Sequence, residues 1–131
     1  MIKYIKISLA ALAIFVLAGC NKESTENSYK QISMDEAVTM MAKETDYIIL
    51  DVRTPEEFAE KHIPNAINVP NENIGNDDIP ELPNKDQMIL VYCRSGNRSK
   101  QASEKLVKLG YTYIYEFGGI NDWTGETVEE S

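Results

Sequence analysis

The chain is 131 residues long, 43% of them hydrophobic, with a formal net charge of −8 at pH 7. That length holds one domain with a real core. So acidic a surface argues against nucleic acid as a partner and against charge-driven binding to anionic lipid.

Lys3 and Lys6 are followed by the apolar run Ile7 to Leu17, which is too short to span a bilayer, and then by Leu17-Ala18-Gly19-Cys20. This order of basic, apolar and small residues reads as a secretory signal. Its end resembles the lipobox of bacterial lipoproteins; an ordinary signal cut nearby or a simple N-terminal anchor are the alternatives. The resemblance implies a signal peptide over residues 1–19 and lipid attachment at Cys20. The protein would then be exported and anchored to a bacterial membrane, at the periplasmic or outer cell surface. Removing residues 1–19 takes away Lys3, Lys6 and no acid, leaving 112 residues with a formal charge of −10. Asn21 to Ser28 contains no apolar residue, so residues 20–29 read as a flexible tether and residues 30–131 as the domain.

Tyr29 to Ile32 is a short strand candidate. Ser33 and Glu36 fit a capping box, and the helix behind them presents Met34, Ala37, Val38 and Met41 at helical spacing. Tyr47 to Leu50 reads as a central strand ending in Asp51-Val52-Arg53. Thr54, Pro55 and Glu57 then start a short helix that runs to about Lys61, with Phe58 facing the core. Ile67 to Val69 is a third strand, entered through a turn in which Asn65 is a candidate for positive φ. Residues 71–86 are polar and broken by Pro80 and Pro83, with Ile74, Ile79 and Leu82 as pins. Met88 to Tyr92 is a continuous apolar run that reads as a buried strand. A helix over Lys100 to Leu109 carries the stripe Ala102, Leu106 and Leu109 and closes at Gly110. Tyr111 to Glu116 is the fifth strand candidate. Trp123 reads as an aromatic anchor, and the acidic tail after Gly125 is expected to fray. Strands alternating with helices predict an α/β fold with a mainly parallel sheet.

The chemistry concentrates in Cys93-Arg94-Ser95-Gly96-Asn97-Arg98-Ser99, between the fourth strand and the following helix. In a parallel sheet that is the carboxyl edge, where ligands bind. Unpaired N–H groups and the helix dipole favour negative charge there, so a thiol in this position should ionise easily. If Cys20 is acylated, Cys93 is the only thiol of an exported chain, and it is either buried and inert or there to react. Reaction requires that solvent reach its sulfur. His62 is the only histidine, no Cys/His cluster has metal-ligand spacing, and no metal or cofactor is implied.

Five motifs carry a resemblance in order. They are Asp51-Val52-Arg53; Glu56-Glu57-Phe58; His62-Ile63-Pro64-Asn65-Ala66-Ile67-Asn68-Val69-Pro70; Val91-Tyr92 with the Cys93 to Ser99 loop; and Gly118-Gly119 with Trp123. Over about residues 31 to 124 the chain resembles a single-domain rhodanese, departing from it at Asn65, where glycine is common. The resemblance implies a central, mainly parallel five-stranded sheet with helices on both faces, in a protein expected to be a monomer. It also implies a sulfurtransferase whose Cys93 takes a sulfane sulfur from thiosulfate or a similar anionic donor. The resulting persulfide would pass the sulfur to a thiol or cyanide, with a thioredoxin-like protein among the candidate acceptors. The backbone N–H groups from Arg94 to Ser99, including those of Ser95, Gly96 and Asn97, would line the cup around the persulfide.

Side-chain roles remain open at this level. Arg94 reads as an anion-attracting group or as a solvated arginine, Arg98 as a loop support or a substrate contact, and Ser99 as a helix cap or a substrate contact. Gly96 suits an unusual backbone conformation. Asp51 and Arg53 read as an ion pair that organises neighbouring loops, and His62 as structural. Two rival functions exist. Phosphatases and arsenate reductases use a cysteine, five residues and an arginine; here Ser99 holds that place, and Arg98 comes one residue early. A lipid-tethered sulfur carrier or protein-interaction module would share the first step without turnover.

Overall fold

The continuous apolar run at Met88 to Tyr92 lies at the centre. In the computed structural model, which describes residues 28–130, β4 (Met88–Cys93) is buried along its whole length. Around it stand β1 (Lys30–Gln31), β2 (Tyr47–Asp51), β3 (Ile67–Asn68) and β5 (Ile114–Gly119), in the order β1-β5-β4-β2-β3. Every neighbouring pair is parallel. The expected signal peptide, Cys20 and most of the expected tether lie outside the described residues. Among the described residues no helix is long and apolar enough to cross a membrane.

Parallel strands need crossovers. They are supplied by α1 (Met34–Lys43), α2 (Pro55–Glu60) and α3 (Asn97–Lys108), while an irregular segment opening with a 3-10 turn at Asn71–Asn73 joins β3 to β4. Side chains alternate across a strand, so β4 feeds two cores. Ile89, Val91 and Cys93 face α3 and the 71–86 segment, whose Ile74, Ile79 and Leu82 are all buried. Leu90 and Tyr92 face the other way, toward α1 and α2, with Ala37, Ile63 and Phe117. Helices thus cover both faces, as expected.

Local sequence explains the helix starts. Ser33 Oγ accepts from the Glu36 N–H at 3.0 Å while the Glu36 carboxylate takes the Ser33 N–H at 2.8 Å. Thr54 and Glu57 repeat the arrangement at the head of α2. Asn65 adopts φ 73°, as the turn required.

Three expectations are corrected. Val38 is 46% exposed, and Met40 packs against the core instead; Ala37 points at the sheet, and one residue further on a helix turns the next side chain about 100° away. The fifth strand begins at Ile114 rather than Tyr111. Gly110 has φ 99°, the Tyr111 N–H closes the helix end on Leu106 O, and Thr112 N–H bonds Lys85 O, so residues 111–113 are a link. The tail is docked rather than frayed. His62 and Val128 exchange both backbone hydrogen bonds at 2.9 Å, and Glu130 N–H bonds Ala59 O. The free backbone groups at the end of α2 give the tail its partners.

Candidate active site

β4 ends at Cys93 on the carboxyl edge of the sheet, with the side chain on the α3 side. The chain turns through Arg94 and Ser95 and enters α3 at its N-cap, Gly96, where φ is 114°. In that conformation the Gly96 N–H points back at Cys93 Sγ, 3.0 Å away. Gly96 has no side-chain cap, and its own N–H goes to the cysteine sulfur. A second glycine holds the loop down. Gly119 of β5 is registered with Cys93 across a bulge, and a Cβ there would lie 2.0 Å from Arg94 O. Asn121 N–H bonds the same carbonyl at 3.1 Å.

Cys93 is 1% exposed. The sequence reading needed a sulfur reachable from solvent, and the structure instead recesses it beneath its own loop. The reason is local: folding Gly96 back onto Sγ lays the loop backbone over the thiol.

The predicted site residues separate into groups. Arg94, Ser95 and Asn97 are exposed around the loop. Arg98 turns to α2 and meets Glu57 in a two-pronged pair, Nη1 to Oε1 at 2.7 Å and Nη2 to Oε2 at 3.0 Å. That pairing supports the loop and commits both guanidinium prongs away from an anion. Hydrogen bonding to Arg98, opposed by burial and helped by Thr54, holds the Glu57 carboxyl down at about 2. Ser99 is fully buried in the first turn of α3. Its hydroxyl lies 3.4 Å from Cys93 Sγ, 3.0 Å from Gly96 O and 2.5 Å from Glu116 Oε2. It is not the cap of α3, whose N-cap is Gly96.

Glu116 is the residue that sequence reasoning missed. It is 2% exposed, and Oε2 accepts from both Ser99 Oγ and the Gly118 N–H, the latter at 3.0 Å. The signal was present as one acid inside an otherwise apolar strand. Ending that strand at Glu116 hid the fact that it continues to Gly119.

Asp51 and Arg53 form a buried pair, with side chains 0% and 4% exposed and Nη2 to Oδ2 at 2.7 Å. Arg53 Nη2 also donates to Lys61 O at 2.7 Å, and Asn68 donates to the Asp51 and Arg53 carbonyls. The pair ties the ends of β2, α2 and β3 together. The Tyr92 hydroxyl accepts the Ile63 N–H, and burial, then Asp51, push its phenol far above the ordinary range. His62 is buried, stacked 3.7 Å from the Phe58 ring, with Nδ1 2.8 Å from Phe58 O. Trp123 packs on the α1–α2 face and donates to Glu126 O.

The same order of elements occurs in proteins already described. The family profile Rhodanese-like domain matches residues 33–126. The chain is 37% identical over 73 residues to thiosulfate sulfurtransferase PspE of Escherichia coli, spanning 56% of this chain and 70% of the relative. It is 34% identical over 96 residues to thiosulfate sulfurtransferase GlpE of Coxiella burnetii, spanning 72% of this chain and 87% of that one. A crystal structure of a rhodanese-like domain protein from Staphylococcus aureus superposes with a TM-score of 0.65 at 31% identity, over 78% of this chain and 99% of the other. On motif order, parallel topology and these likenesses together, the chain belongs to the rhodanese family and is a rhodanese-type sulfurtransferase.

Proposed function

We propose that Cys93 carries the transferred sulfur. When the loop over the thiol opens, the Cys93 thiolate attacks the outer sulfur of thiosulfate or a similar anionic donor. A sulfur–sulfur bond forms, the donor's own bond breaks, and sulfite leaves with its electron pair. The persulfide anion then meets a thiol or cyanide, which takes the outer sulfur and returns Cys93 as thiolate. The observation that carries this reading is the Gly96 N–H aimed at Cys93 Sγ from 3.0 Å, at the head of a twelve-residue helix whose dipole favours an anion. Arg94, Ser95 and Asn97 border the approach, and Arg94 draws the anionic donor.

The test is intact-mass analysis of the full chain after incubation with thiosulfate. The expected result is a gain of one sulfur, removed by cyanide or a thiol and absent in Cys93→Ser; a persistent gain in that variant would take Cys93 out of the role. The near-complete burial of Cys93 favours a second reading, a carrier that keeps its sulfur until a thiol-bearing partner, such as a thioredoxin-like protein, opens the loop. A stable persulfide with negligible turnover on small acceptors identifies the carrier.

The N-terminal reading extends this to location. Residues 1–19 act as a lipoprotein signal, Cys20 receives the lipid, residues 20–29 form the tether, and the domain works as a monomer at a bacterial membrane surface. Its support is the order of Lys3, Lys6, the apolar run and Leu17-Ala18-Gly19-Cys20. Cys20→Ala should move the protein from the membrane fraction to the soluble one with its sulfur chemistry intact. Membrane association unchanged by that substitution would refute the anchor.

A further inference from the structure

Ser99 Oγ has one proton and three acceptors within reach: Gly96 O at 3.0 Å, Gly118 O at 3.3 Å and the Glu116 carboxylate at 2.5 Å. The carboxylate is charged and nearest, so it takes the proton. The hydroxyl's lone pairs then face Cys93, whose S–H donates to Oγ at 3.4 Å. The three side chains form a continuous chain from sulfur to carboxylate, and all are 2% exposed or less.

We propose that Glu116 receives the Cys93 proton through the Ser99 hydroxyl and is the internal base of the sulfur-transfer cycle. The proposal rests on Cys93 being the sulfur carrier. The step balances: the S–H proton moves to Ser99 Oγ, the Ser99 proton moves to Glu116 Oε2, and the products are a thiolate and a neutral carboxylic acid. Ser99 then donates to the thiolate beside the Gly96 N–H, and Glu116 donates to Ser99. The buried group bears one negative charge before and after. Were the proton lost to solvent, a thiolate and a carboxylate would sit within about 6 Å of each other, out of water, an arrangement that like charges resist. When cyanide or a thiol removes the outer sulfur, the returning thiolate recovers the proton by the same path. Glu116 touches no substrate; it is a positioning and proton-holding residue that acts through Ser99.

Other charges flank the site without joining this chain, Arg98 and Lys100 among them. Asp51 is matched by Arg53 on the β2 side, and Glu57 by Arg98 on the α2 side. Arg94 and Lys100 are exposed at the loop and head of α3. None of these lies on the chain of hydrogen bonds between sulfur and Glu116.

The test is the rate of alkylation at Cys93 by iodoacetamide, followed on the Cys93 peptide of the full chain by mass spectrometry between pH 6 and 8. A proton passed within the protein makes the thiolate fraction independent of pH, so the wild-type rate should change less than threefold across the range. In Glu116→Gln and in Ser99→Ala the proton must leave to solvent, and the rate should rise roughly tenfold per pH unit, as a single titration does. Identical pH profiles in wild type and Glu116→Gln overturn the proposal. A measurement on unmodified sequence guards against a variant that fails to fold. Persulfide formation should create a protonated-carboxyl infrared band that shifts in heavy water, and persulfide without that band overturns the proposal. Failure to gain any sulfur would instead count against the function assigned to Cys93, leaving the alkylation profile to judge Glu116.

Discussion

At the residue scale, the arginines flanking the loop have unlike duties. Arg98 is spent on Glu57, whereas Arg94 stands exposed at the loop. An exposed charge contributes about 1 kcal/mol at most, or roughly fivefold in an equilibrium. Arg94→Ala should therefore raise the KM for thiosulfate by up to about fivefold and leave kcat nearly unchanged. Steady-state kinetics at low salt would check it, and an unchanged KM would remove Arg94 from donor capture. The place of Cys93 at a strand end, just before a helix start, was legible from sequence, because an apolar run stops there and a glycine-bearing turn follows. The roles of Ser99 and Arg98 were not. Which neighbour a hydroxyl or guanidinium faces depends on β5 and α2, elements distant in the chain.

At the scale of elements, the Arg98–Glu57 pair joins the heads of α2 and α3. Glu57 is held at about 2 against an ordinary value of 4.5, so its contribution is complete above about pH 4.5 and disappears as pH falls toward 2. Arg98→Ala should cost about 1 kcal/mol at pH 7, a figure already discounted for the pair's partial exposure. The difference from wild type should vanish near pH 2. Urea denaturation at several pH values measures both, and a difference that persists at pH 2 would place the loss in packing rather than charge. Helix starts were readable because capping boxes are local. The start of β5 was not, since Tyr111 looks like strand in isolation. Its burial against Leu82 O and the turn at Gly110 come from packing on the 71–86 segment.

At the scale of the whole molecule, the Asp51–Arg53 pair lies under the carboxyl edge and binds three loops. Removing one partner of a buried pair leaves a charge without compensation, a loss of about 3–5 kcal/mol. Asp51→Asn should destabilise the domain by that order, read as a lower urea midpoint. A loss under 1 kcal/mol would mean that Arg53 finds another partner. The docked tail shows the same dependence on assembly. Nothing local in Val128 predicts pairing, and the bridge exists because the backbone groups of His62, just past the end of α2, are free to take it.

Order of strands and helices, the parallel sheet, the helix caps and the candidate nucleophile all follow from the chain read alone, since each rests on periodicity or on contacts a few residues apart. Assembly of the sheet settled the rest: the diversion of Arg98 to Glu57, the pinned tail, and the carboxylate of Glu116 behind Ser99. Those depend on residues 17 to 66 positions apart meeting across the sheet and its helices, and side-chain partners at such separations are chosen by packing.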